Sequence, residues 1–396
     1  MRTILHSDLN NFYASVECVY EPSLRAVPMA VCGDPAVRHG IVLAKNMLAK
    51  RAGVQTGEAV WQAVRKCPNL KIIPPDYPKY LRFARMMKAI CAEYTDAVES
   101  FGLDECWMDV TGHERGGEAI AGELRRRARE ELGLTVSVGV SYNKIFAKLG
   151  SDMKKPDATT VITPENYRDR VWPLPAGDLL YVGPSTRRRL AARNIRTIGD
   201  IARSPRELLR TALGKSGEML WVFANGLDQS PVLREGEGEA IKSVGNSTTT
   251  ARDIVDDAGA HRVLMALADS VAERLRAQGL QGRTVCVSVR DCALYTTSVR
   301  HRLDHATALA SEICTCAMAL FRAHYRWERP VRSLGVSVSA LESLEGDVQL
   351  SLFADARDRR YDLENAVGDI RRRFGHDALR RASLLGGGEI HFLKEN

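Results

Sequence analysis

Three carboxylates and one lysine are the residues on which chemistry could turn. Asp8 follows a short β-type run at residues 3–7. Asp104 and Glu105 stand between two strand candidates, 97–101 and 106–110, and Lys155 lies in Ser151-Asp-Met-Lys-Lys-Pro156. If the two later strands pair as a hairpin beside the first, all three acids come within reach of a shared ion, because neighbouring strands lie about 4.8 Å apart. Adjacent residues on a regular strand face opposite ways, so Asp104 and Glu105 can converge only from a turn or an irregularity. Oxygen-only ligands select a hard cation, Mg2+ or Mn2+. Two such ions about 3.5–4 Å apart would lower the pKa of an attacking hydroxyl and hold a leaving pyrophosphate oxygen.

The elements that must position these groups read as a split βαβ arrangement. Residues 12–19 look helical, and 22–75 form a compact mixed segment. It has strand candidates at 29–32 and 41–43 and helical runs at 46–51 and 58–65. From Tyr80 the apolar residues Phe83, Ala84, Met87, Cys91 and Tyr94 follow steps of three or four, which is helical spacing. A second helix carries Ile120, Leu124, Ala128 and Leu132 on one face. Its residues Arg125, Arg126, Arg127 and Arg129 are expected largely outside, and Gly133 closes it. A strand at 135–140 completes βαββαβ, with 22–75 inserted after the first strand. Short helices follow Pro164 to about Val232. Arg234-Glu-Gly-Glu-Gly-Glu239 is a polar, Gly-rich linker, and 242–340 is another α/β unit with strand candidates at 284–289, 295–300 and 333–339. Beyond Leu341 we expect a tail with a basic helix near 363–374.

The bulk properties narrow the class. At 396 residues the chain is too long for one compact core. Its 45% hydrophobic and 27% charged content is that of a globular protein, and the net charge of +7 favours a polyanionic partner. The nine cysteines form no Cys-x-x-Cys pair, and Cys314 and Cys316 would face apart on a helix, so reduced thiols rather than a zinc site are expected. No apolar run reaches the roughly 20 residues that a bilayer requires, and the first residues lack a signal-peptide pattern. The expectation is a cytoplasmic monomer with no membrane association.

Three segments carry a resemblance. His6-Ser-Asp-Leu-Asn-Asn-Phe-Tyr-Ala-Ser-Val-Glu17, Ser100-Phe-Gly-Leu-Asp-Glu-Cys-Trp-Met-Asp-Val110 and Ser137-Val-Gly-Val-Ser-Tyr-Asn-Lys-Ile-Phe-Ala-Lys148 resemble the Y-family translesion DNA polymerases of the bacterial DinB/UmuC type, in that order along the chain. The resemblance implies an α/β multidomain, right-hand architecture. In it a ferredoxin-like (βαββαβ) palm occupies 1–12 and 75–165, small fingers 13–74, a helical thumb 166–232, a linker 233–241 and an α/β little finger 242–340. A C-terminal tail, 341–396, ends the chain. It also implies that Asp8, the Leu9 backbone carbonyl, Asp104 and Glu105 hold two Mg2+ ions, with Mn2+ able to substitute. Tyr13 becomes the steric gate against a ribose 2′-hydroxyl, and Phe12, Lys50 and Lys155 contact the triphosphate of a dNTP.

Three positions depart from that pattern. Where relatives supply a tyrosine and an arginine to the phosphates, this chain has Met47 and Lys50, and lysine lacks arginine's planar two-pronged geometry. Asn10 stands where many relatives carry Asp. Leu180-Tyr-Val-Gly-Pro-Ser-Thr-Arg-Arg-Arg-Leu190 resembles a helix-hairpin-helix, with Gly183-Pro184-Ser185 in place of Gly-x-Gly, so Gly183 and Arg187 are expected on primer–template DNA. Arg290, Arg300 and Arg302, on or beside strands of the little finger, are expected to track phosphates on one sheet face. Gln349-Leu-Ser-Leu-Phe353 resembles the peptide that docks on the bacterial sliding clamp, with Gln349, Leu350, Leu352 and Phe353 making the contact. The function implied is template-directed, low-fidelity DNA synthesis across damaged templates. A polymerase-like clamp-binding scaffold that has lost activity and a palm-type nucleotidyl cyclase remain as rivals.

Overall fold

The computed structural model describes residues 2–38, 40–234, 236–238, 240–344 and 356–384. They divide into two compact units, Met1–Gly33 with Ile41–Gly238, and Asp34–Gly40 with Glu239–Asn396.

The first unit opens with β1 (Ile4–Leu9) and α1 (Phe12–Tyr20). A smaller subassembly follows, with β2 (Met29–Cys32), β3 (Val42–Lys45), α2 (Met47–Arg51), α3 (Val60–Lys66) and β4 (Lys71–Ile73). Then come α4 (Tyr77–Ala92), β5 (Val98–Phe101), β6 (Glu105–Asp109), α5 (Gly117–Leu132), β7 (Val136–Ser141), α6 (Lys144–Met153) and β8 (Thr159–Val161). The main sheet has the order β5-β6-β1-β7-β8, and β3-β2-β4 form a separate three-stranded sheet. Without β8, the four antiparallel strands and the crossover helices α4 and α5 make the βαββαβ unit that the sequence predicts. The fifth strand, parallel to β7, and β4 are not anticipated: each is three residues long, too short to show an alternation.

Strand parity decides what each face of the sheet does. Leu5 and Leu9 of β1 point into an apolar core with Met108 of β6, Val136 and Val138 of β7, Tyr80, Phe83 and Met87 of α4, and Ile120, Leu124, Ala128 and Leu132 of α5. The Leu, Ile, Val, Phe and Met side chains among them each contribute about 1.5–3 kcal/mol on burial. The alternate residues of β1, Ile4, His6 and Asp8, lie across from Asp109, Trp107 and Glu105 of β6. That second face is covered by α6, which approaches closely because Gly139 of β7 has no side chain. A Cβ there would stand 1.9 Å from the Ala147 carbonyl oxygen and 2.6 Å from the Ser151 nitrogen. The Trp107 indole N–H donates to the Lys144 carbonyl at 2.9 Å and fixes the start of α6.

The unit continues through α7 (Tyr167–Val171), α8 (Pro184–Ala191), α9 (Ile198–Arg203), α10 (Arg206–Leu213) and α11 (Lys215–Ala224), around a core that includes Leu190, Ile198, Ile201, Leu209 and Leu220. Entry to α8 differs from the expected Gly-x-Gly register. The left-handed residue is Tyr181, at φ 69°, while Gly183 is the N-cap with an extended backbone at φ −75°. The turn therefore aligns as Tyr181-Val182-Gly183, with a tyrosine in a conformation that favours glycine.

The second unit is β9 (Ser243–Ile254), α12 (Asp257–Ala277), β10 (Leu280–Asp291), β11 (Thr296–Thr307), α13 (Ala310–His324), β12 (Val331–Ser343) and α14 (Ala356–Phe374), with sheet order β11-β10-β12-β9. Val285, Val287 and Val289 of β10 pack with Val336 and Val338 of β12 against α12 and α13. After Leu341, strand β12 runs on to Ser343, and α14, longer than the basic helix expected near 363–374, docks on its own unit. Arg371 contacts Asp269 at 2.9 Å and Glu273 at 3.2 Å, and Arg276 contacts Glu364 at 2.5 Å. The buried side chains of α14 are charged, so no apolar stripe in the sequence announces the docking.

Candidate active site

Asp8 is the penultimate residue of β1 and pairs directly with Glu105, the first residue of β6. Asp104 occupies the turn before β6, and its carbonyl accepts from the Leu9 N–H at 3.1 Å. The irregularity needed to bring consecutive acids together is this turn, which Gly102 enters at φ +79°.

Lysines face two of the acids. The Lys155 ammonium lies 2.6 Å from Asp8 Oδ2 and 2.8 Å from Asp152 Oδ1. Lys148 lies 2.8 Å from Glu105 Oε2 and 3.2 Å from Asp152 Oδ2. His6 closes the cluster from beneath, with Nε2 at 3.3 Å from Glu105 Oε2 and Nδ1 at 2.8 Å from Ser151 Oγ. The Ser151 hydroxyl donates to the Lys148 carbonyl, so it accepts from Nδ1–H, and it is a proton on Nε2 that would meet Glu105. Glu105 Oε2 is accordingly close to two groups yet has no hydrogen bond in a proper direction, and the same holds for His6 Nε2.

The two paired acids are pushed opposite ways. Burial raises the Asp8 pKa to about 7, more than Lys155 can offset. Burial also raises Glu105, but His6 and Lys148 outweigh it and hold the group at about 2. Asp104 is raised, first by burial and then by the neighbouring Glu105 charge. His6 is lowered by burial, against the pull of Glu105. Burial opposes the charges on Lys148 and Lys155, yet their acidic partners keep both above the ordinary lysine value.

The donor set suits a hard divalent cation. It is all oxygen, and Glu105 Oε2 is a buried acceptor with no hydrogen bond of proper direction. Among the described residues no three His, Cys, Asp or Glu side chains already converge on one ion-sized point, and the two lysine ammoniums sit at contact distance from Asp8 and Glu105 instead.

Tyr13 stacks on Tyr80 with ring centroids 4.2 Å apart and meets Tyr77 edge-on at 6.0 Å. Tyr80 is in turn held by the buried Glu17, to which its hydroxyl donates at 2.7 Å. Phe12 is buried beside Tyr13, at 5.5 Å. Lys50 is exposed on α2 and Met47 is half-buried. Lys45 donates to Thr56 Oγ1, and its pKa is lowered by burial and then by Lys50. Arg187 is exposed on α8. A cleft of about 370 Å3 lies between α6 and the approach to α8, lined by Lys148, Asp152, Tyr181 and Gly183 among others.

Register places Arg290, Arg300 and Arg302 on one face of the second unit's sheet. Arg302 opposes Thr284, Arg300 opposes Cys286 and Arg290 opposes Thr296. On β12 and β9 that face continues through Ser333, Ser337, Ser339, Ser243, Ser247 and Thr249. It is a surface of arginines, hydroxyls and small residues, and the valines point the other way. Gln349, Leu350, Leu352 and Phe353 lie outside the described residues.

Sequence reading leaves His6, Lys148, Ser151 and Asp152 without roles. Lys148 and Asp152 stand four apart on α6, a spacing that puts them on one helix face. The signal was there, but only the close packing of α6 on β7 shows which face meets the acids.

These features define the class. The chain belongs to the Y-family DNA polymerases of the bacterial DinB/UmuC type: residues 7–152 match the impB/mucB/samB family, and residues 241–352 match that family's C-terminal domain. It is 49% identical to DNA polymerase IV of Acetivibrio thermocellus, over 97% of this chain and 98% of the relative. It is 36% identical to DNA polymerase IV 1 of Bacillus subtilis, over 97% and 93%. A solved chimeric Y-family DNA polymerase superposes with a TM-score of 0.74 and 24% identity, covering 85% of this chain and 98% of that one. Among the described residues no helix is long and apolar enough to cross a membrane.

Proposed function

We propose that the chain is a template-directed DNA polymerase acting in translesion synthesis, joining a dNTP to a primer 3′-hydroxyl with release of pyrophosphate. The observation that carries this reading is Asp8 directly across from Glu105, with Asp104 in the adjoining turn and Lys155 reaching over Asp8. Asp8, the Leu9 carbonyl, Asp104 and Glu105 are the groups that would hold two Mg2+ ions. Those ions would supply Lewis acidity, lowering the pKa of the attacking hydroxyl and neutralising the leaving oxygen. Lys155 and Lys148, next to those acids, are placed to exchange carboxylate partners for phosphate oxygens, each as a compact point charge. Lys50 would add charge from the fingers, and Phe12 would lie under the phosphates. Tyr13, braced by Tyr80, presents a ring that would exclude a 2′-hydroxyl.

Primer–template DNA would run across the Arg290, Arg300 and Arg302 face, and the entry to α8 at Gly183 and Arg187 would bind backbone phosphates, all without base specificity. Gln349, Leu350, Leu352 and Phe353 would tether a monomer to the sliding clamp in the cytoplasm. Met47, Lys50 and Asn10 are what speak for an inactive scaffold, but Asp8, Asp104, Glu105 and Lys155 all remain and argue against it, and a cyclase has no use for the second unit.

Single-nucleotide primer extension with Mg2+ tests the proposal. The native chain should extend, Asp104→Ala should not, and withdrawal of divalent ions should stop the reaction. Absence of extension by the native chain with every dNTP in Mg2+ and Mn2+ would leave the scaffold reading.

A further inference from the structure

Lys155 belongs to no helix or strand, since α6 ends at Met153 and β8 begins at Thr159. Something must nevertheless aim its four-carbon arm at Asp8. We propose that Asp157, clamped by Arg125 and Arg129 of α5 and by Asn10, is the positioning residue that sets Lys155 for the nucleotide. The inference rests on the reading of Lys155 as a triphosphate ligand.

The clamp uses every polar group of Asp157. Arg125 Nε donates to Oδ1 at 2.9 Å, Arg125 Nη2 donates to the Asp157 carbonyl at 2.5 Å, and Arg129 Nη1 donates to Oδ2 at 3.1 Å. The Asp157 N–H donates to Asn10 Oδ1 at 2.8 Å. Asn10 in turn donates through Nδ2 to Ser137 Oγ at 3.0 Å, and Ser137 is the β7 residue that pairs with Asp8. The loop carrying Lys155 is thereby referenced to the strand that carries its target, two residues from the lysine. Both arginine contacts on Asp157 side-chain oxygens are charge-assisted, and Arg125 engages one residue at two points, a geometry that lysine cannot reproduce.

This arrangement gives a reason for two features that sequence reading leaves unexplained. The α5 arginines are not all a solvated face, because Arg125 and Arg129 turn to this loop. Asn10 supplies a donor to Ser137 and an acceptor to the Asp157 N–H at once. An amide does both while keeping a further negative charge away from the buried Asp8.

The test compares Asp157→Ala, Arg125→Ala, Arg125→Lys, Lys155→Ala and the Asp157→Ala/Lys155→Ala double variant. The full chain is used, with thermal melting to establish folding. Two readouts are taken: KM and kcat for single-nucleotide insertion, and equilibrium binding of a non-hydrolysable dNTP analogue to the protein on primer–template. Asp157→Ala and Arg125→Ala should each weaken analogue binding and raise KM roughly 10-fold, with kcat and DNA affinity changed less than about threefold. Arg125→Lys should fall between. In the Lys155→Ala background, Asp157→Ala should add less than about twofold, because both act through the same ammonium. Arg125→Ala leaves the backbone at 157 intact and decides the matter if Asp157→Ala does not fold. A folded Arg125→Ala with native KM and native analogue binding overturns the proposal, as does a full multiplicative loss in the double variant. Native KM in Lys155→Ala removes the underlying reading of the lysine as well.

Discussion

Asp8 and Glu105 face each other across two strands, yet replacing each by its amide should move stability in opposite directions. Asp8 has a folded pKa of about 7 against an ordinary 3.8, with burial the dominant cause. A raised carboxylate pKa means that stability is present at low pH and is lost as pH rises from about 4 through 7. About three pK units correspond to about 4 kcal/mol at pH 8. An asparagine side chain at this position carries no charge to bury, although its amide keeps only part of the Lys155 contact. Asp8→Asn should therefore be more stable than the native chain by about 2–4 kcal/mol at pH 8. Glu105 has the reverse sign. Its folded pKa of about 2 lies below the ordinary 4.5, despite burial, because His6 and Lys148 favour the charge. Its contribution is present above about pH 4.5 and fades towards pH 2. Glu105→Gln should cost up to about 3 kcal/mol at neutral pH.

The assay is denaturant unfolding in a chelator, followed by tryptophan fluorescence. Trp107, 5.2 Å from His6, reports on this region. The gap between Asp8→Asn and the native chain should narrow as pH falls and close near pH 4. Added Mg2+ should stabilise the native chain at pH 8 and have much less effect on Asp8→Asn. Asp8→Asn being less stable than the native chain at pH 8, or a gap that does not change with pH, would refute the reasoning.

Further outcomes follow from the packing. Tyr13→Ala should admit ribonucleotides in primer extension, and losing its stack on Tyr80 should cost about 1 kcal/mol beyond the lost burial. Tyr181→Gly should raise the melting temperature, since glycine relieves a left-handed backbone strain of about 1–2 kcal/mol and the 58% exposed ring gives up little packing. Arg371→Met should destabilise the second unit by about 1–3 kcal/mol in a melt, because it removes a buried cation from beside Asp269 and Glu273 while Arg381 stays on Asp269.

Local pattern made much of this protein legible. The spacing of Tyr80, Phe83, Ala84 and Met87, and of Ile120, Leu124, Ala128 and Leu132, identified α4 and α5, because each helix buries one apolar stripe in one core. Short β-type runs ending at or beginning beside Asp8, Asp104 and Glu105 marked the strands β1 and β6 that carry or adjoin those acids. Features without an apolar period stayed out of sight: strands β4 and β8 are too short, the docking of α14 (though not the helix itself) is through charge, and the turn into α8 uses tyrosine where glycine is expected.

By itself, then, the sequence determined the layer architecture, the family and the placing of Asp8, Asp104 and Glu105 at strand ends, since each depends on residue type at short range. Tertiary structure alone decided how those acids are charged and who aims the lysines. The pKa values of Asp8 and Glu105 part because one is dominated by burial and the other by two basic neighbours, His6 from β1 and Lys148 from α6. Lys155 is set by arginines of α5, a helix that precedes it in the chain by a whole strand and another helix. Electrostatics depends on distance and desolvation, and both arise only when β1, β6, β7, α5 and α6 close on one another.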